Sequence, residues 1–254
     1  MGAKVGVEFY EQFQEKMCRH EVHSIWKIVN DATKKYFPDA EIDIMGSYRR
    51  GKLQCGDVDV LITHEEYPET VPRGALDEIV ERLKAQGDIS HHLTAVEKSF
   101  FKDIHSQDSE VHILSTFPPY RGSQSYMGVF KSPTTRGKHR RIDIKFYPYA
   151  EKVYSMIYFT GNGYFNRSIR LFAQRKRKWK LNDHGLFFNA LGTGRRFKAK
   201  TEKDVFDKLG LMYKDPIERD GFDAVVETET NEVYVAEKLS QQDLVALKDV
   251  KWVD

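Results

Sequence analysis

The stretch Gly46-Ser47-Tyr48-Arg49-Arg50-Gly51, followed by Gly56-Asp57-Val58-Asp59-Val60-Leu61-Ile62, constrains this chain more than any other part. It sets a small-residue turn, two arginines and two carboxylates within one short strand–turn–strand unit. Asp57 and Asp59 are two residues apart, and on a β-strand that spacing points both side chains to one face. Val58, Val60 and Ile62 then point the other way, into a core. Two carboxylates at ~4 Å repel by roughly 4 kcal/mol at an effective dielectric of about 20. A divalent cation between them removes that penalty and turns the pair into a ligand set.

A third carboxylate lies in Arg140-Arg141-Ile142-Asp143-Ile144-Lys145. Alternation sends Ile142 and Ile144 to the core and Asp143 to the other side, with Arg141 and Lys145 beside it. If this strand neighbours the first, three carboxylates converge, as a two-metal phosphoryl-transfer site requires. The Gly46-Ser47 turn supplies backbone N–H groups and a hydroxyl for an anion. Arg50 adds a forked, charge-assisted contact to a phosphate. Asp-x-Asp alone is weak evidence, because many surface strands carry it. A preceding Gly-Ser and a third aspartate among arginines make it strong.

The remaining sequence bounds the setting. A chain of 254 residues with 40% hydrophobic and 13% aromatic content can fill a core. No apolar run approaches the length of a membrane span, and no charged–apolar–small leader opens the chain. Cys18 and Cys55 make neither a CxxC pair nor a disulfide framework. The chain therefore reads as intracellular, soluble, monomeric and free of membrane contact. Its net charge of +2 is uninformative, but the distribution is not. Arg167, Arg170, Arg175, Lys176, Arg177, Lys178 and Lys180 follow one another without an acid. Lys131, Arg136, Lys138, Arg140, Arg141 and Lys145 stand against Asp143 alone. From Asp215 to Asp254 eleven acids face four bases. Two basic blocks and an acidic tail suggest a molecule with a phosphate-facing side.

Periodicity predicts helices over Glu21–Tyr36, Ala75–Ala85 and Glu151–Tyr158, and another starting near Phe165 that carries a basic block. Thr201-Glu202-Lys203-Asp204 reads as a capping box opening a short helix that stops at Gly210. Strands are predicted over Glu41–Met45, Asp57–Thr63, Val111–Phe117, Tyr126–Phe130, Arg141–Tyr147 and Val233–Ala236, with a last helix opened by Ser240. A composition shift near Phe159–Gly163 predicts a hinge. His20, His23, His91 and His92 lack metal-ligand spacing and read as surface residues; Trp26 and Trp179 read as packing.

Taken together, the motifs resemble the family X DNA polymerases of the beta and lambda kind. They include His139-Arg140-Arg141-Ile142-Asp143, Tyr158-Phe159-Thr160-Gly161 and Phe165-Asn166-Arg167-Ser168-Ile169-Arg170. They occur in order, from Val5 to about Asp220. The resemblance implies an α+β fold. A nucleotidyltransferase palm (mixed sheet flanked by helices) over residues 1–157, with an insertion near 88–125, precedes a smaller α/β subdomain. That subdomain, residues 158–254, binds the nascent base pair and ends in the acidic extension.

The same resemblance implies that Asp57, Asp59 and Asp143 are catalytic and hold two Mg2+ ions, or Mn2+ in their place. Lys16, Ser47, Arg50 and Gly56 would bind the triphosphate. Lys16 stands where the family has arginine, keeping the charge but losing the fork. Tyr158, Phe159, Gly161 and Asn166 would meet sugar and base, and Gly163 offers no side chain to the base. Arg141, Lys145, Arg170, Arg175 and Arg177 would meet DNA. The implied activity is templated dNMP addition to a primer 3′-hydroxyl in short-gap repair in the nucleus, on primer-template or gapped DNA with dNTP substrates. Template-independent relatives carry Gly-Trp at the Tyr158-Phe159 position and a longer loop than Ser132–Lys138. The alternatives are such a terminal transferase and a non-catalytic DNA-end or gap-binding module. No N-terminal lyase domain is recognisable, and most of the helix–hairpin–helix region has no counterpart.

Overall fold

The computed structural model describes residues 2–94, 119–120 and 122–235. It divides into two units, one of Met1–Tyr48 with Lys52–Tyr149, the other of Arg49–Gly51 with Ala150–Asp254. Among the described residues no helix is long and apolar enough to cross a membrane.

The first unit opens with helices α1 (Gly2–Glu8) and α2 (Tyr10–Gln14), a two-residue strand β1 (Met17–Cys18) and the long helix α3 (Arg19–Tyr36). Strand β2 (Glu41–Ile44) runs into a one-turn helix α4 (Gly46–Arg49), then β3 (Gln54–Cys55) and β4 (Val58–Thr63). After β5 (Val71–Pro72) come α5 (Ala75–Ala85), β6 (Ile89–His92), β7 (Pro119–Tyr120), β8 (Gln124–Lys131) and β9 (His139–Phe146). Five strands form one mixed sheet in the order β2-β4-β9-β8-β6. Among the described residues only β4 and β9 pair in parallel.

Apolar spacing explains this layer. Val22, Ile25, Val29 and Ala32 of α3, with Leu76, Ile79, Val80 and Leu83 of α5, bury a single stripe each. They pack on Val58, Val60, Ile62, Ile142, Ile144, Phe146 and Phe130 from the sheet. Each valine, leucine, isoleucine or phenylalanine among them stabilises by roughly 1.5–3 kcal/mol on burial. The opposite sheet face is partly covered too. Val5 and Phe9 of the N-terminal helices pack on Val129, and the Phe9 ring stacks on His139 at 4.1 Å. Arg140 is turned inward: its Nε donates to Glu21 Oε1 at 2.8 Å, and its Nη1 reaches the Gln12 and Glu15 carbonyls. One member of the second basic block is therefore a buried structural cation.

The second unit follows Tyr149 with a 3-10 turn and helices α6 (Lys152–Thr160) and α7 (Gly163–Arg177). A hairpin of β10 (Lys180–Asn182) and β11 (Gly185–Phe187) precedes α8 (Glu202–Leu209). Thr201 opens α8 with the expected capping box: it accepts from Asp204 N–H, and the Asp204 carboxylate accepts from Thr201 N–H. The division between units falls at Tyr149–Ala150, upstream of the hinge that composition suggests. The reason is packing, since Tyr154 and Ile157 of α6 share a core with Phe165, Ile169, Phe172, Phe206 and Leu209.

Two expected features lie outside the described residues, the strand Val111–Phe117 and the helix from Ser240; the strand at Val233–Ala236 is described only as far as 235 and as an isolated bridge to Val226. Residues 89–92, at the start of the expected insertion, form an edge strand of the main sheet.

Candidate active site

The sheet register assembles the acids. Asp59 of β4 sits directly opposite Asp143 of β9 in the parallel pair, so the two project from the same face. Asp57 precedes β4 by one residue rather than lying within it. Its Oδ2 is 2.5 Å from Arg141 Nη2, on β9. Lys145 Nζ lies 3.9 Å from Asp143 Oδ2. The expectation that Arg141 and Lys145 flank Asp143 thus holds, with an added result: they counter the acids. Three carboxylates face two cations along neighbouring ribbons.

A glycine makes room for Asp59. Met45 N–H donates to the Asp59 carbonyl at 2.8 Å, and the chain then turns at Gly46 with φ +56°. A Cβ at Gly46 would stand 1.8 Å from Asp59 Oδ2, so only glycine fits beneath the carboxylate. Asp59 itself is only 4% exposed. On the same side, β1 pairs antiparallel with β3, Met17 opposite Cys55. This register brings Lys16 to Gly56, where a Cβ would meet Lys16 Nζ at 3.1 Å. Ser47 hydrogen-bonds the Cys55 sulfur; burial nevertheless pushes that thiol up, with Ser47 and Arg19 offsetting it in part. Lys16, Ser47 and Gly56, expected to hold triphosphate, therefore cluster around one corner of the first unit with Asp57 and Asp59.

The donor set suits a hard dication. Carboxylate oxygens are its preferred ligands, and Mg2+ is commonly held by one or two carboxylates plus substrate phosphates and water rather than by a closed protein cage. Among the described residues no group of three or more His, Cys, Asp or Glu side chains is gathered as a ready ligand set. The expected convergence of all three acids into one ligand set is therefore not met among the described residues: Asp59 and Asp143 face each other, while Asp57 is taken by Arg141.

The second unit treats its expected residues differently. Arg50 Nη1 donates to the Thr160 carbonyl at 2.5 Å, and its Nε lies 3.6 Å from Asp220 Oδ1. A phosphate at Arg50 has to exchange with these partners. Tyr158 is buried under the Arg170 guanidinium, 4.8 Å from the ring centroid, and Arg170 also lies 3.8 Å from Asp183. Phe159 is fully buried in the described structure, so its side chain is a core residue rather than a pocket wall. Asn166 is 2% exposed and donates to the Tyr158 carbonyl at 2.7 Å, where a base contact was expected. Gly161 ends α6, and the Gly161–Asn162 peptide bond is cis. Arg175 is half-buried. Arg177 is half-buried, and its Nε donates to the Leu209 carbonyl at 2.8 Å, satisfying the end of α8.

Sequence reasoning missed one ion cluster. Glu202 accepts a forked pair from Arg49, at 3.0 and 2.7 Å, and a further bond from Arg219 Nη1 at 2.7 Å. Arg219 is 0% exposed, donates to the Lys214 carbonyl, and lies over the rings of Phe165, Phe206 and Tyr213. Arg49 also donates to Thr160 Oγ1. The only available signal was Arg219 standing as the lone base among the acids from Asp215 to Glu232.

Comparison with known proteins agrees with this architecture. Residues 16–149 match the DNA polymerase beta palm, and residues 155–220 match the DNA polymerase beta thumb. DNA polymerase lambda of Rattus norvegicus is 33% identical over 224 residues, 85% of this chain and 35% of the relative. DNA polymerase lambda of Arabidopsis thaliana is 32% identical over 85% of this chain and 39% of its own length. DNA-directed DNA/RNA polymerase mu of Homo sapiens is 30% identical over 85% of this chain and 44% of its own length. The chain thus spans less than half of each of these relatives. With the palm match covering more than half of its residues and the thumb match following in order, the chain belongs to family X of the DNA polymerases.

Proposed function

We propose that this chain is the catalytic core of a template-directed DNA polymerase. It adds a deoxynucleoside monophosphate to a primer 3′-hydroxyl during short-gap repair in the nucleus, working as a monomer. The observation that carries this reading is the Asp59–Asp143 register between parallel β4 and β9, with Asp57 at the head of β4. The primer 3′-hydroxyl gives its proton to solvent and its oxygen bonds to the α-phosphorus of a dNTP, while the bond from that phosphorus to the oxygen shared with the β-phosphate breaks and pyrophosphate leaves.

Asp57, Asp59 and Asp143 would hold two Mg2+ ions. When bound, these supply Lewis-acid activation of the hydroxyl and charge neutralisation at the leaving oxygens. The chain's own residues do the rest by position and charge. Lys16 and the Gly56 amide meet the triphosphate as a point charge and a backbone donor. Arg141 exchanges Asp57 for a primer phosphate, and Lys145 keeps the buried acidic face from carrying uncompensated charge. The short Ser132–Lys138 loop between β8 and β9 supports templated addition over terminal transfer.

Primer extension with Mg2+ on gapped, blunt and single-stranded substrates tests the reading. Addition on gapped DNA is expected to dominate; preference for unpaired single strands would instead indicate terminal transfer. Asp143→Asn is expected to lower extension by on the order of a thousandfold, with the melting temperature nearly unmoved in the absence of metal. A large metal-free loss of stability would make Asp143 a structural residue. Affinity for gapped DNA should also fall steeply between low and moderate salt, because phosphate contacts release counterions. A flat salt response would remove the remaining basic residues as the DNA footprint.

A further inference from the structure

Three aromatic rings of the second unit surround one ammonium group. Lys208 Nζ, in the last turn of α8, lies 5.7 Å from the Trp179 ring centroid, 5.3 Å from that of Phe188 and 5.6 Å from that of Phe197. Trp179 and Phe188 meet edge to face at 4.9 Å, and the Phe188 and Phe197 rings are tilted, 6.2 Å apart. The backbone sets each ring. Trp179 N–H donates to the Ala173 carbonyl past the end of α7, and Phe197 N–H donates to the Leu186 carbonyl of β11. Beside Phe188, the Asn189 side chain accepts from Gly192 N–H and Thr193 N–H and closes the turn. The box is thus built without help from Lys208.

Its occupant is poorly matched to it. An ammonium is a strongly hydrated point charge with three donors. Among the described residues no carboxylate pairs with Lys208; the neighbouring Asp207 accepts from Lys203 instead, at 2.8 and 2.6 Å. The ring faces attract the charge but offer no lone pair to the N–H groups. Methylation removes the mismatch, because it keeps the charge and takes away the donors. There is room for it. A methyl carbon stands about 1.5 Å from its nitrogen. Methyl groups on Nζ would therefore come to roughly 4 Å from the rings, carbon–carbon contact distance. A cation from another molecule is disfavoured, since Lys178 and Lys198 flank two of the three rings in the chain. The charge already in place adds no such repulsion.

We propose that Lys208 is a methylation site and that Trp179, Phe188 and Phe197 form the cage that holds its trimethylated head. In each round Nζ loses a proton to solvent and bonds to the methyl carbon of a sulfonium donor brought by a separate methyltransferase. The carbon–sulfur bond breaks, its electron pair stays on sulfur, and the donor leaves as a thioether. Lys208 is exposed, so the transferase can reach it. The product fastens the end of α8 to the segment that follows β11.

The test builds the methylated head chemically on the full chain. Lys208→Cys is made together with Cys18→Ser, which removes the exposed native thiol and leaves only buried Cys55. Alkylation with bromoethyl-trimethylammonium gives a trimethylated lysine analogue, and bromoethylamine gives its unmethylated counterpart. The trimethylated form is expected to melt roughly 1–4 °C higher. Its methyl proton signal is expected upfield of its position in denaturant, because ring currents act inside the cage. Phe188→Ala and Trp179→Ala should each erase both effects. They are read as the difference between the two alkylated forms, so a change in baseline stability does not enter. Equal melting temperatures with an unshifted methyl signal overturn the cage. Mass spectrometry of the chain isolated from the cells that make it reads the modification itself. Methyl groups on Lys208 are the expected result, and a Lys208 unmodified throughout overturns the proposal.

Discussion

Glu202→Ala is expected to destabilise the second unit by about 3–5 kcal/mol, because it leaves Arg219 charged and buried without its carboxylate. For a chain of this size that lowers the melting temperature by roughly 6–20 °C. Arg219 has no exposed surface to retreat to, and its forked neighbour Arg49 loses the same acceptor. The effect carries a pH signature. Burial alone would raise the Glu202 carboxyl, but the hydrogen bond from Arg49 and the charge and hydrogen bond of Arg219 outweigh it and hold it below its ordinary value of 4.5. A group depressed on folding contributes stability above its unfolded value and loses it as pH falls through the folded value. The gap in melting temperature between wild type and Glu202→Ala should therefore be full near neutrality and shrink in acid below 4.5. A gap that stays constant from neutral to acid pH would show that packing, not charge, holds this cluster.

Gly46→Ala should damage catalysis although it adds only an uncharged methyl group. The added methyl would stand 1.8 Å from Asp59 Oδ2, so the carboxylate must move. A displacement near 1 Å costs on the order of a hundredfold in rate where geometry is preset. The positive φ of +56° adds about 1–2 kcal/mol of backbone strain. Gly137→Ala separates the two contributions. Gly137 also has positive φ, +75°, but a Cβ there meets nothing within 4 Å. Single-nucleotide addition should fall steeply in the first variant and stay near wild type in the second. Equal activity in both would remove Asp59 from the reaction.

Elements that obey one rule throughout were legible in the sequence. Helix α5 occupies Ala75–Ala85 as its apolar spacing requires, and α3 runs two residues further back than predicted. The facing of Asp59 and Asp143 could be anticipated because both strands alternate around them. What escaped depends on distant partners. Strand β6 reads Ile-Ser-His-His, too polar to announce itself, and exists because β8 offers it an edge. Asn166 and Arg177 sit in motifs that suggest nucleic acid, yet a carbonyl from Tyr158 or Leu209 claims each of them. Arg49 finds Glu202 across 153 residues of chain, a pairing no local pattern encodes.

The parallel β4–β9 pairing has a consequence for synthesis. Asp59 and Asp143 are 84 residues apart in the chain. At ~5–20 residues per second, about 4–17 s separate the appearance of the first acids from that of the last. Throughout that interval the nascent polypeptide holds Asp57 and Asp59 without Arg141 to balance them. Closing so long a loop is also among the slower steps a sheet can take. A message broken before the codon for His139 therefore yields a product without β9, so β4 has no parallel partner and Asp59 has no Asp143 opposite it, however well its helices have formed.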